Sequence, residues 1–169
     1  MKVKDNVEII VEYNPEALDL KQRLMHDAST VNYSMSYETN VQAKMSSYKT
    51  STPTTDVLIN WIAELIDKHS SFRRRGYNLY FCNLWFAKYD RGDYTKVHEH
   101  ALSFFSFVYF INCPEGSAPF VFTTSGEEIK AEEGKIVIFP GRMLHNVPEN
   151  GCKNRIVLAG NVDLLPSRR

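Results

Sequence analysis

Three histidines carry the first chemical signal in this chain. His98 and His100 stand in Val97-His98-Glu99-His100, and His145 closes the run Phe139-Pro140-Gly141-Arg142-Met143-Leu144-His145. In an extended segment alternate side chains share a face, so His98 and His100 point one way and Glu99 the other. Two imidazoles then converge on one spot. His145 follows a second apolar run, Lys135 to Phe139, and supplies a third imidazole if both strands belong to one barrel. Three imidazole nitrogens suit iron, zinc, copper or nickel and argue against calcium or magnesium, so the pattern predicts a transition-metal centre. His26 and His69 lie in helical patterns without such company and read as incidental.

Arg155 comes ten residues after His145 and opens the last strand-like run. If that run returns antiparallel to the strand leading to His145, the guanidinium projects into the same barrel as the metal. A buried arginine stays charged and pairs bidentately with carboxylates, so Arg155 is a natural anchor for a dicarboxylate whose other end reaches the metal. Asn161, Tyr80, Asn83, Trp85, Tyr89 and Tyr109 are candidates to complete an aromatic pocket with a few polar groups. Alternation places Asn83 and Trp85 on one face.

Strands and helices must hold these side chains in place. Val7 to Tyr13 alternates and is rich in β-branched residues, which predicts a strand. Asn14-Pro15 then starts a helix to about Asp27, with Leu18, Leu24 and Met25 on its buried face. Ser29 to Thr52, rich in Ser, Thr, Tyr and Asn, has no clear period and reads as a loop with at most one short strand, either a lid or an inert insertion. Thr54 or Thr55 caps a second helix, in which Val57, Leu58, Trp61, Ile62, Leu65 and Ile66 form one apolar stripe. Arg73-Arg74-Arg75-Gly76 follows, a basic run that complements a helix C-terminus better than it argues for nucleic acid.

From Tyr77 the pattern is strands between turns: Asn78 to Tyr89, Leu102 to Asn112, Phe120 to Thr123, Glu127 to Lys130, Lys135 to Phe139 and Arg155 to Val162. Leu102, Phe104, Phe105 and Phe107 make the second of these apolar on both faces, so it should be covered on both sides. Two helices before a run of short strands predict an α+β fold. The strands form a double-stranded β-helix, a jelly-roll or cupin-like barrel, and the helices cover one outer face. The expected organisation is one domain over 1–169, with 1–76 supporting a jelly-roll core over 77–165.

Composition narrows the function classes. The chain has 169 residues, 43% hydrophobic and 12% aromatic, and its 20 basic and 20 acidic side chains cancel. That is a globular composition without a global field to gather nucleic acid or an acidic membrane, so a small-molecule or peptide partner is expected and nucleic acid is not. Three cysteines without a CxxC pair argue against a disulfide framework and for a reducing compartment. The expected location is the cytoplasm, or the host cytoplasm if the chain is phage-encoded. No run of eighteen apolar residues predicts a membrane span.

Asn83-Leu84-Trp85, Tyr89-x-x-Gly92, His98-x-His100, Ser106-x-x-Tyr109, Phe139-Pro140 with His145, and Arg155 with Asn161 together resemble the iron(II), 2-oxoglutarate-dependent oxygenases, especially small bacterial and phage members with a His-x-His motif. The resemblance spans roughly Tyr77 to Val162. It implies His98 and His145 as iron ligands, with His100 in the place of the usual carboxylate. Arg155 would be the partner of the distal carboxylate of 2-oxoglutarate, and Asn83 or Tyr80, with Tyr109, would make lesser cosubstrate contacts. It also implies Fe(II) as metal and 2-oxoglutarate as cosubstrate of a dioxygenase that releases succinate and CO2. The chain departs from the pattern twice. Most relatives carry two histidines and a carboxylate, which here only Glu99 or Asp93 is near enough in sequence to supply; alternation disfavours Glu99, and loop distance disfavours Asp93. Val157 stands where a hydroxyl residue is usual. Two other readings fit the same residues: a three-histidine cupin-type metalloenzyme that needs no oxo acid, and a non-catalytic jelly-roll binding or structural module.

Overall fold

The computed structural model describes residues 7–69 and 76–167. Two antiparallel sheets face each other and two helices cover the outer side of one of them. The first strand, β1 (Ile10–Tyr13), leads into α1 (Ala17–Thr30). Asn14 does not cap this helix at its first turn as expected. Its Oδ1 accepts the Glu16 N–H at 2.8 Å, forming the turn that precedes the helix. The buried stripe is Leu20, Leu24 and Ala28, one face at i, i+4 and i+8. Leu18, expected on that face, lies off the stripe and is 78% exposed.

The segment before the second helix is more ordered than its composition suggested. It contains β2 (Val41–Gln42) and β3 (Lys44–Met45), which pair with different sheets. Ala43, between them, is fully buried. This segment therefore stitches the two sheets together along one edge. Helix α2 (Pro53–His69) begins with a reciprocal pair: the Thr52 N–H donates to Thr55 Oγ1 at 2.8 Å and the Thr55 N–H to Thr52 Oγ1 at 3.1 Å. The cap is thus Thr52, with Thr55 as the answering side chain. The Thr52 hydroxyl also donates to Asp27 at 2.6 Å, tying the start of α2 to the end of α1. Leu58, Ile62, Leu65 and Ile66 are buried as expected, whereas Val57 is largely exposed. The basic run at 73–75 lies outside the described residues.

The remaining strands are β4 (Tyr77–Tyr89), β5 (Tyr94–His98), β6 (Phe105–Asn112), β7 (Phe120–Phe122), β8 (Glu127–Ile129), β9 (Lys135–Pro140), β10 (His145–Val147) and β11 (Arg155–Pro166). The larger sheet runs β1-β9-β6-β11-β4-β3 and the smaller β2-β5-β10-β7-β8. The sheets are not closed into a continuous barrel. Strand β6 starts three residues later than expected, and Leu102 sits in a turn, 98% exposed. From Phe105 to Ile111 it is buried on both faces, as its two-sided apolarity required.

Alternation sorts the larger sheet into two interfaces. Leu84, Phe86, Phe107, Ile138 and Leu158 face the helices and meet Leu24, Leu58 and Ile62. Trp85, Ala87, Val108, Phe110, Val137 and Val157 face the smaller sheet and meet Val41, Phe120, Phe122 and Val147. Each fully buried Leu or Phe in these layers contributes about 1.5–3 kcal/mol of transfer free energy. A bulge interrupts β4 at Cys82: Asn161 pairs with Asn83 but Val162 pairs with Phe81. The extra residue reverses the alternation, so Phe81 joins Leu84 on the helix side. No helix among the described residues is long and apolar enough to cross a membrane.

Candidate metal centre

His98 ends β5 and His145 begins β10, and the two are direct partners across the antiparallel pair. Their rings lie 4.3 Å apart between centroids. His100 stands two residues past the end of β5, where its backbone N–H donates to the Gly141 carbonyl at 2.7 Å. That bond turns its ring back to within 4.9 Å of His98 and 5.3 Å of His145. One nitrogen from each ring lies within 4.8 Å of the others. The expected convergence occurs, although β10 was not anticipated as a separate strand of the other sheet.

Backbone carbonyls fix two of the rings. The Nδ1–H of His98 donates to the Lys96 carbonyl and that of His145 to the Met143 carbonyl, both at 2.8 Å. Each carbonyl selects the tautomer that leaves Nε2 with a free lone pair, the arrangement that metal-ligating histidines ordinarily require. Phe120 stacks on the His145 ring at 5.1 Å. Burial holds the imidazoles neutral, lowering His98 below its ordinary pKa, His100 to about 4 and His145 to about 3. Neutral imidazole is the ligand form, so the metal-free site competes little with protons near neutral pH.

The sign of the pH dependence follows from these depressed values. The unfolded chain takes up protons on these histidines below about pH 6.5 while the folded chain resists, so their stabilisation is complete above that pH and is lost as pH falls. For His145 the slope is about 1.4 kcal/mol per pH unit between the two pKa values. Calorimetry of the metal-free protein should show Tm falling from pH 6.5 to 4.5, with a shallower fall in His145→Asn. Equal slopes in the two proteins would contradict this assignment.

Gly141 positions the third ligand. A Cβ there would lie 2.3 Å from the Ser103 carbonyl oxygen and 2.6 Å from that of His100, both backbone atoms that cannot swing aside. Gly141→Ala should displace His100 and weaken metal binding roughly 10- to 100-fold, the range seen when an outer partner of a ligand is removed. Titration calorimetry with cobalt(II) reads this directly, and unchanged affinity would show that the loop adapts without moving the ring.

Neither acidic candidate joins the histidines. Glu99 is exposed on the opposite side, beside Arg142 and Leu144. Asp93 accepts the Asp90 N–H in the turn before β5. Among the described residues, no Asp or Glu lines the cavity that contains the three histidines.

Arg155 reaches this cavity from the other sheet. The sequence-based geometry needs correction here: β11 pairs with β4 and β6, not with the strands on either side of Gly141. The guanidinium nonetheless faces the histidines across the sandwich, because Arg155, Val157 and Ala159 alternate toward the smaller sheet. Arg155 is 0% exposed, and none of its three side-chain nitrogens has a hydrogen-bond partner. It rests on the Tyr89 ring, 4.6 Å from the centroid, and near Phe110 at 5.6 Å. Burial pushes its pKa down.

The other candidates divide. Trp85 and Tyr89 line the cavity, and Trp85 meets the His100 ring at 6.1 Å. The Tyr89 hydroxyl bonds Thr95 Oγ1 at 2.8 Å. Asn161 is buried on the same face, where its Oδ1 accepts from the cavity-lining Ser106 hydroxyl at 2.8 Å. Asn83 pairs with Asn161 across the strands but does not line the cavity. Tyr80 lies beyond the bulge, 50% exposed, and is absent from the cavity lining. Tyr109 is on the wrong face: with Phe105 and Phe107 it packs toward the helices, its ring 6.3 Å from Trp61. Ser106 and Val108 line the cavity, whereas Tyr109 belongs to the helix-side cluster and is absent from the lining. Thr95 was missed because a threonine in a five-residue strand looks like ordinary β-propensity.

No protein-family model and no curated protein matches the chain. Solved structures do. The viral collagen prolyl hydroxylase of Paramecium Bursaria Chlorella virus-1, in its 2OG complex, superposes with TM-score 0.70 at 13% identity, covering 91% of this chain and 94% of that one. A prolyl-4-hydroxylase of Pseudomonas putida gives 0.69 at 18% identity, covering 96% and 94%. An oxidoreductase of the 2OG-Fe(II) oxygenase family from Burkholderia pseudomallei gives 0.72 at 10% identity, covering 92% and 84%. The chain shares its fold, over nearly its whole described length, with 2OG-Fe(II) oxygenases.

Proposed function

We propose that this chain is a non-haem iron(II), 2-oxoglutarate-dependent dioxygenase that hydroxylates a small molecule or peptide. In this reading its paired sheets are a double-stranded β-helix within one domain. The observation that carries the proposal is Arg155. A fully buried guanidinium with three unpartnered nitrogens is costly unless a ligand completes it, and this one lines the same cavity as three convergent neutral imidazoles. A dicarboxylate with a metal-chelating oxo-acid end satisfies both groups at once.

His98, His100 and His145 would hold the iron, His98 and His145 through Nε2 in tautomers set by the Lys96 and Met143 carbonyls. With 2-oxoglutarate and oxygen, ferrous iron supplies the oxidising chemistry, in which the oxo acid is cleaved to succinate and CO2 and one oxygen atom enters a substrate C–H bond. Arg155 binds and orients the distal carboxylate, backed by Tyr89. Trp85, Phe120, Phe139, Val147 and Val157 wall the cavity with apolar surface and keep water from the reacting centre. The strands β2 and β3 close one side, with Val41 in the cavity wall and Tyr48 edge-on to Trp85 at 5.3 Å.

The test is anaerobic. Iron(II)-loaded protein titrated with 2-oxoglutarate should develop a saturable visible charge-transfer band, and Arg155→Met should lose it. The all-histidine donor set supports a second reading, the three-histidine cupin-type metalloenzyme. Iron binding without the band would favour that reading, and no metal binding would leave a non-catalytic module.

A further inference from the structure

The two sheets are joined along one edge and open along the other. Residues 41–45 carry the chain from β2 to β3 on the joined side, whereas β1 and β8 end their sheets on the opposite side. A groove of about 760 Å³ lies there, walled by Val7 and Ile9 ahead of β1 and by Glu127 at the start of β8. Its apolar lining includes Ile9, Phe122 and Met143, which also pack in the core between the sheets, so that core surfaces in the groove. Glu99, Arg142 and Leu144 complete the wall, and Glu99 and Leu144 are chain neighbours of the three histidines.

We propose that this groove docks an extended, basic segment of a partner polypeptide. Two features select an extended chain. Among the described residues β1 pairs only with β9 and β8 only with β7, so each keeps one edge whose backbone N–H and C=O groups can receive another strand. The apolar lining then takes alternate side chains of that strand. Charge selects a basic one. Glu99 and Glu127 are exposed in the wall, and neither has an ion pair among the described residues. Arg142 is the single opposing charge in the lining, and Glu128 adds a further exposed carboxylate on β8. A second copy of this chain pairing through β8 would bring the Glu127 and Glu128 side chains of both copies together, which like-charge repulsion disfavours.

The probe is a dye-labelled hexapeptide of alternating valine and lysine, titrated with the full metal-free chain and followed by fluorescence anisotropy. It should bind saturably, and more weakly as salt screens the carboxylates. Glutamate in place of lysine in the probe should abolish binding. Glu99→Gln combined with Glu127→Gln should weaken it about 2- to 30-fold, the range for two exposed ion pairs, and Arg142→Gln should tighten it about 2- to 5-fold. Methylating either the lysine or the valine backbone nitrogens blocks one edge of the probe, and one of the two changes should weaken binding at least 10-fold. Absence of saturable binding, equal binding of the lysine and glutamate probes, or undiminished binding to the double variant overturns the site. A concentration-dependent dimer in sedimentation that excludes the probe overturns it in favour of a second copy. The charge-transfer band reads iron and 2-oxoglutarate separately, so its loss would overturn the proposed function and leave the groove standing.

Discussion

Arg155→Met should weaken 2-oxoglutarate binding to the cobalt-loaded protein by roughly 30- to 3,000-fold while raising the Tm of the metal-free protein. The two effects share one cause. Arg155 is 0% exposed and its guanidinium has no hydrogen-bond partner, so the ligand-free fold carries an uncompensated buried charge. Such a charge costs several kcal/mol even after relaxation. Its stacking on Tyr89 and Phe110 returns about 0.5–2 kcal/mol, which is less than that cost. Methionine fills a similar volume without the penalty, and a gain of 1–3 kcal/mol corresponds to roughly 2–10 °C for a chain of this length. With ligand the sign reverses, because truncating one partner of a buried charge pair costs about 2–5 kcal/mol. Calorimetry reads both quantities. A lower Tm with unchanged affinity would mean that Arg155 supports the fold and not the ligand.

His145→Ala should reduce cobalt affinity by more than about 100-fold, beyond what loss of an outer-shell partner costs. His145 is the most buried of the three ligands, held by the Met143 carbonyl behind it and by Phe120 stacked on its face. It is also the direct cross-strand partner of His98, so two of three donors come from one rung of a two-stranded pair. Removing it leaves His98 and His100, which form a far weaker chelate. His26, exposed on α1 away from the cavity, provides the control, and His26→Ala should leave affinity unchanged. Equal loss in both variants would indicate a general defect in folding, and no loss in His145→Ala would remove it from the metal centre.

The site residues were legible where their chemistry is local. The His-x-His spacing predicts two imidazoles on one side and Glu99 on the other, and the structure contains that arrangement, although His100 lies past the end of β5 and is held there by the Gly141 carbonyl. Arg155 was legible because a guanidinium heading an otherwise apolar strand must be satisfied or functional. The helical stripe over Leu58, Ile62, Leu65 and Ile66 is equally local, since a period near 3.6 is a property of the segment alone.

Tyr109 and Phe81 show what the sequence withheld. β6 is apolar on both faces, so its pattern carries no parity signal, and only the packing of Phe105, Phe107 and Tyr109 against the helices determines which side is the cavity. On β4 the bulge at Cys82 reverses alternation without a glycine or proline to announce it. The short strands β2, β3, β5 and β10 are similarly silent, because two to five residues hold a strand conformation only when a partner supplies their hydrogen bonds. Two of those strands carry His98 and His145. The sequence by itself determined which side chains could ligate a metal and anchor an anion, since that is set by residue type and nearest-neighbour geometry. The tertiary structure decided that His98 and His145 share a rung, that Arg155 faces them from the opposite sheet and that, among the described residues, no carboxylate joins them, because those relations exist only once the two sheets are packed.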